Sequence, residues 1–202
     1  MAPLIDLRVL RLLASRLCHD LIGPVAAINN GVELLGDEDP DFVRDAVALV
    51  GDSARKAAAR LQFYRFVFGA GQGTPSGQSP QALAAALFDG GPILCDYGAA
   101  AAELGLEWQK LACNLLLVAG EALPRGGRLV LDAGPRLEAI GEGTGLSPEV
   151  RAALTLAVAP AELSVRTVGA YLAGANAAAL GCRLDAENAP GSFTIRAVPP
   201  AG

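Results

Sequence analysis

Two long runs of helical apolar periodicity separated by only five residues constrain this chain more than any other feature. Apolar side chains recur on one stripe from about Leu4 to Leu35, at Leu10, Leu13, Leu17, Leu21, Pro24, Ile28 and Leu35. They recur again from Asp41 to about Phe68, at Phe42, Val43, Ala46, Val47, Val50, Ala54, Ala57, Leu61 and Phe66. Between them Gly36-Asp37-Glu38-Asp39-Pro40 supplies stop and turn chemistry, with Asp39 suited to cap the second helix and Pro40 to its first turn. So short a connection makes the helices antiparallel neighbours. Val9, Leu12, Ile22 and Phe63 fall outside the paired stripes and leave apolar surface over. Two solutions are open: homodimerisation into a four-helix bundle with an isologous interface, or cover by the rest of the same chain.

Composition narrows the partners. A net charge of -5 without clustered Lys and Arg argues against nucleic acid as the main partner. Asp6, Arg8, Arg11 and Arg16 interrupt the N-terminal apolar run, so it does not read as a signal peptide, and no stretch has the length of a membrane span. A cytoplasmic protein with no membrane association is expected. The four cysteines, Cys18, Cys95, Cys113 and Cys182, have no metal-ligand spacing, and one histidine cannot complete a zinc site with them. Reduced thiols and no bound metal are expected.

That one histidine, His19, lies nearly opposite the apolar stripe of the first helix, so its imidazole should face solvent. An exposed imidazole offers an uncharged nitrogen nucleophile near neutral pH. The alternative is an ordinary surface residue. Ser15, Gly23 and Ala26, one turn away on the same face, make a shallow surface that another protein can approach closely. Asp20 beside it can hold the proton of one ring nitrogen and leave the other free. Pro24, inside the helix, removes an amide donor and crowds the carbonyl of Asp20, which predicts a loosened turn next to His19. Antiparallel counting across the turn brings Arg55, Lys56 and Arg60 roughly level with His19, either as a docking surface or as a solvated face.

The run from Gly69 to Ser79 is rich in Gly, Ser and Pro and reads as a linker. It divides the chain into a helical hairpin, residues 1–70, a linker, 71–79, and a second domain, 80–202. Helices are predicted at Pro80 to Phe88, Leu106 to Leu123, Pro148 to Ala157 and Leu163 to Leu180. Strands are predicted at Arg128 to Ala133, Arg136 to Ile140, Cys182 to Glu187 and Ser192 to Val198. These imply a two-layer α/β sandwich, one mixed sheet with helices on one face.

His19, Asp20, Leu21 and Pro24 resemble the His-Glu/Asp-Leu-x-x-Pro box of two-component histidine kinases. The segment Lys110 to Gly127 resembles the kinase N-box, with Asn114 retained and Val118 where a second asparagine would bind magnesium; valine offers no oxygen donor. Gly141 to Leu146 resembles the Asp-x-Gly-x-Gly box that holds adenine, with Gly141 in the aspartate position and Glu142 out of register. Gly143 and Gly145 read better as turn glycines. Thr167 to Ala173 stands where kinases carry a glycine-rich phosphate loop, without the glycines.

A helical hairpin with this box, followed by a degenerate kinase-like ATP-binding domain, resembles the ChpT-type histidine phosphotransferases of alphaproteobacterial phosphorelays. The resemblance implies a homodimer in which His19 accepts a phosphoryl group from the receiver domain of a hybrid kinase of the CckA type. It implies onward transfer to response regulators of the CtrA and CpdR types. Asp20 would orient the ring, Ser15, Arg16, Gly23, Lys56 and Arg60 would meet the receiver, and Mg2+ would come from the receiver. No ATP binding and no cofactor of its own are expected. Two other classes compete: a histidine kinase with a divergent ATP site, and a non-catalytic dimeric adaptor.

Overall fold

The computed structural model describes residues 6–36, 39–71, 73–74 and 77–199. Helix α1 (Leu7–Leu34) is capped by Asp6, whose carboxylate accepts from the Arg8 amide. The expected start at Leu4 lies outside the described residues, as do Asp37 and Glu38 of the turn. Helix α2 (Pro40–Phe68) begins as the sequence predicts, with Asp39 accepting from the Asp41 amide and Pro40 in the first turn. The two helices pack tightly at Gly31, where a Cβ would stand only 2.6 Å from Val50 Cγ2 and 3.3 Å from the Ala46 carbonyl oxygen.

After helix α3 (Pro80–Phe88) come strand β1 (Ile93–Tyr97), the single turn α4 (Ala99–Ala102) and helix α5 (Leu106–Glu121). Strands β2 (Gly127–Asp132) and β3 (Arg136–Ile140), helices α6 (Pro148–Leu154) and α7 (Val168–Ala179), and strands β4 (Arg183–Ala189) and β5 (Ser192–Val198) complete the chain. The sheet order is β1-β2-β3-β5-β4, with β1 and β2 parallel and every other pair antiparallel. Alternation divides its faces. Leu129, Leu131, Leu137, Ala139, Leu184, Ala186, Phe193 and Ile195 are buried under the helices. The other face carries ion pairs, Arg128 with Asp96, Arg136 with Glu138, and Arg196 with Asp185 and Glu187. This is the helical hairpin and α/β sandwich that the sequence implies, with helices on one face of a mixed sheet.

One strand has no local signal in the sequence, and one predicted boundary moves. Strand β1 carries no period-2 signal, because at the sheet edge only Tyr97 of its five residues is fully buried. The last helix begins at Val168 rather than Leu163; Pro160–Glu162 forms a short 3-10 turn, and the Ser164 amide donates to Thr167 Oγ1 at 2.9 Å.

The leftover apolar surface of the hairpin is shared between two fates. Val9 and Phe63 are buried and Leu12 packs beside them, all against the core that includes Leu111, Leu115 and Leu116 of α5. Cover by the same chain therefore accounts for these three. Ile22 is 65% exposed, and Val25, Val32, Phe42, Val47, Leu49 and Leu61 are exposed with it.

Candidate functional site

His19 stands on α1 with its side chain 83% exposed. Its Nδ1 lies 3.2 Å from Asp20 Oδ1. Asp20 itself is turned inward, 21% exposed, because α2 runs alongside and places Tyr64 and Arg60 against it. The Tyr64 hydroxyl donates to Asp20 Oδ2 at 2.5 Å, and Arg16 Nε approaches the same oxygen at 3.5 Å. Burial alone would raise the Asp20 pKa; the Tyr64 hydroxyl, His19, Arg16 and Arg60 together outweigh it and hold the carboxyl below its ordinary value. Tyr64 is driven the other way, first by burial and then by the adjacent carboxylate, so its phenol stays protonated and donates.

Pro24 explains the role of Arg60. In an uninterrupted helix the amide of residue 24 would bond the carbonyl of residue 20, and proline has no N–H to offer. Arg60 Nη1 instead donates to the Asp20 carbonyl oxygen at 2.8 Å, while α1 continues through the proline to Leu34. The loosened turn expected from the sequence is thus a carbonyl handed from α1 to α2.

The other predicted positions separate into groups. Ser15 and Gly23 are exposed on α1, and a Cβ on Gly23 would meet nothing within 4 Å. Lys56 lies in a shallow depression with Asp52, Arg55, Gln62 and Asp89, one turn along α2 from Arg60; Arg55 is paired with Asp52. Arg16 departs from expectation. Its guanidinium, only 15% exposed, points into the molecule, where it pairs with Glu121 at the end of α5 and donates to the Val165 carbonyl at 3.3 Å. It is held by the second domain and by Asp20. Sequence reasoning missed Tyr64 and Glu121. Tyr64 is legible in hindsight, since it lies one turn beyond Arg60 on the antiparallel helix; nothing local marks Glu121.

The kinase-like segments converge in space. A cavity of about 360 Å³ between α1 and the second domain is lined by Asn114, Val118, Glu121, Gly145, Leu146, Gly169 and Ala170, together with Leu13, Arg16 and Tyr64. Its residues do not fit a magnesium nucleotide. Val118 offers no donor atom, and Glu142 sits outside the cavity, paired with Arg125 on the surface. At Gly141 a Cβ would stand 2.7 Å from the Gly126 carbonyl oxygen and 2.9 Å from Leu123 Cδ2, so this backbone has no room for an aspartate there. Asn114 is fully buried, and both ends of its carboxamide lack a partner among the described residues. Among the described residues no group of three or more His, Cys, Asp or Glu is placed to hold a metal ion, and no helix is long and apolar enough to cross a membrane. All four cysteines are free thiols.

Comparison with known proteins finds relatives in both sequence and fold. The protein phosphotransferase ChpT of Brucella abortus (strain 2308) is 44% identical over 124 residues, which is 59% of this chain and 58% of that protein's length. A solved bacterial phosphotransferase is 32% identical and superposes with a TM-score of 0.77 over 98% of each chain. The family model of the histidine phosphotransferase C-terminal domain matches residues 78–191, which contain strands β1 to β4 and end just before β5, and the chain belongs to that family.

Proposed function

We propose that this protein is a phosphorelay histidine phosphotransferase, with His19 as the phosphoryl acceptor and donor. The observation that carries the reading is the pairing of an exposed imidazole with an inward, anionic Asp20. With Nδ1–H donating to Asp20 Oδ1, the lone pair of Nε2 faces solvent. It attacks the phosphorus of an acyl phosphate on a receiver aspartate; the N–P bond forms as the P–O bond breaks, and the electron pair leaves on the receiver's carboxylate. The reverse step passes the group to a second receiver. Such transfers depend on in-line positioning and on neutralising charge at the phosphoryl oxygens, which falls to the receiver and the Mg2+ it brings. Asp20 fixes the ring. Ser15 and Gly23 leave the approach to His19 shallow, and Arg60 and Lys56 provide positive charge along α2 toward an acidic receiver.

Donors of the CckA type and acceptors of the CtrA and CpdR types are the proposed partners. The exposed apolar face at Ile22, Val25, Val32, Phe42, Val47 and Leu61 would pair with a second copy to complete a four-helix bundle with two outward His19 side chains. ATP has no part in the reading, since the cavity lacks its ligands. The test uses a receiver domain phosphorylated on aspartate, wild-type protein and His19→Ala. Acid-labile, base-stable label should appear on the wild type alone, and Mg-ATP without a receiver should label neither. Label on His19→Ala, or labelling of the wild type by ATP alone, refutes it.

A further inference from the structure

Among the described residues the His19 ring bonds only Asp20, so whatever holds Asp20 bears on the nucleophile. Asp20 is held from three elements. On α1, His19 takes Oδ1 and Arg16 Nε lies 3.5 Å from Oδ2. On α2, Tyr64 donates to Oδ2 and Arg60 to the backbone carbonyl. Behind Arg16, Glu121 pairs with its guanidinium at the C-terminal end of α5, where the helix dipole also favours a cation, and the Val165 carbonyl accepts from it. A guanidinium with acceptors on three sides has little freedom to swing away from Asp20.

Resting on the phosphotransferase reading above, we propose that Tyr64 and the Glu121–Arg16 pair are positioning residues that set the His19 tautomer through Asp20, so that the second domain, by way of Glu121, helps to orient the phosphoacceptor. The contact reassigns part of the degenerate kinase-like domain. Its N-box-like helix ends on the residue that braces the phosphotransfer site. Neither Tyr64 nor Glu121 touches the reacting atoms; each acts through Asp20.

The experiment exploits the single histidine, which gives one imidazole spin system in a nitrogen-15 spectrum of the full chain. In wild-type protein the neutral ring should be enriched in the Nδ1–H form that donates to Asp20, leaving Nε2 unprotonated. Tyr64→Phe removes one hydroxyl and keeps the ring packed beside Phe68, whose centroid lies 6.1 Å away. Glu121→Gln keeps shape and removes charge. Both variants should move the tautomer ratio toward that of a free imidazole and lower the single-turnover transfer rate at saturating phospho-receiver about tenfold, which corresponds to the loss of roughly one hydrogen bond. Affinity for the receiver should not change. Arg16→Lys, which keeps the charge without the fork, should fall between wild type and Glu121→Gln. An unchanged tautomer ratio in both folded variants overturns the proposal, whether or not their melting temperature falls. Because the ratio is read without any partner, it is decided separately from transfer; absence of transfer in wild-type protein would overturn the phosphotransferase reading instead.

Discussion

Two glycines eight residues apart on α1 should respond to alanine with opposite sign. Gly23 faces open space, where a Cβ meets nothing within 4 Å beyond its chain neighbours, and the residue is interior to a helix. Alanine there gains up to the intrinsic propensity difference, about 0.8–1.0 kcal/mol, reduced by the contact of its Cβ with the ring of Pro24 that follows. Gly31 is buried against α2, and its Cβ would stand 2.6 Å from Val50 Cγ2 and 3.3 Å from the Ala46 carbonyl oxygen. The valine is β-branched and stiff at χ1, and the carbonyl belongs to a helix, so neither gives way easily. Overpacking of this kind costs about 1–3 kcal/mol, which exceeds the propensity gain and leaves Gly31→Ala destabilised by up to about 2 kcal/mol. For a chain of this size 1 kcal/mol moves the melting temperature by about 2–4 °C. Urea and thermal unfolding at one fixed protein concentration should therefore place Gly23→Ala above wild type and Gly31→Ala below it. A shift of the same sign in both would refute the helix packing from which the site is built. Gly23→Leu adds a functional arm: it should fold, and transfer should fall because the receiver's approach is blocked.

Further outcomes follow from the same contacts. Arg60→Ala should cost about 0.5–1 kcal/mol in the wild-type background, an exposed hydrogen bond to the carbonyl that Pro24 leaves open, and much less with Pro24→Ala, where a helix amide takes over; a double-mutant cycle in urea that shows no coupling would contradict this. The Asp20 carboxyl is held below its ordinary value of 3.8, so its contribution to stability is full above that pH and is lost as pH falls through the lower folded value. Acid unfolding of Asp20→Asn should accordingly be less pH-dependent below about pH 4 than that of wild type, and equal slopes would count against the network. Phe42→Glu with Val47→Glu places charge on the exposed hairpin face; sedimentation should show a dimer for wild type and a monomer for the variant, and a monomeric wild type would remove the four-helix bundle.

The hairpin was legible because its signals are local: the period of the apolar stripe, Asp39 as a cap and Pro40 behind it. His19 was legible as exposed for the same reason, since the helical wheel needs no knowledge of the partner helix. Arg16 shows where that reasoning stops. The wheel gives its angle on α1, but only the folded second domain brings Glu121 and the Val165 carbonyl within its reach. Tyr64 was hidden among the apolar residues at the foot of α2, where an aromatic ring reads as core; its ring is core, and only its hydroxyl serves the site. Strand β1 was missed because an edge strand feeding a parallel pair has no alternation to read.

The central claim is that Nε2 of His19 carries the phosphoryl group. Nitrogen-15-labelled protein, mixed with an excess of phosphorylated receiver domain and observed by NMR through its one imidazole, tests it directly. The account predicts a phosphorus–nitrogen coupling at Nε2, with Nδ1 still protonated toward Asp20. An imidazole unchanged while the receiver loses its phosphate, or a phosphoryl group bonded to Nδ1, would contradict it.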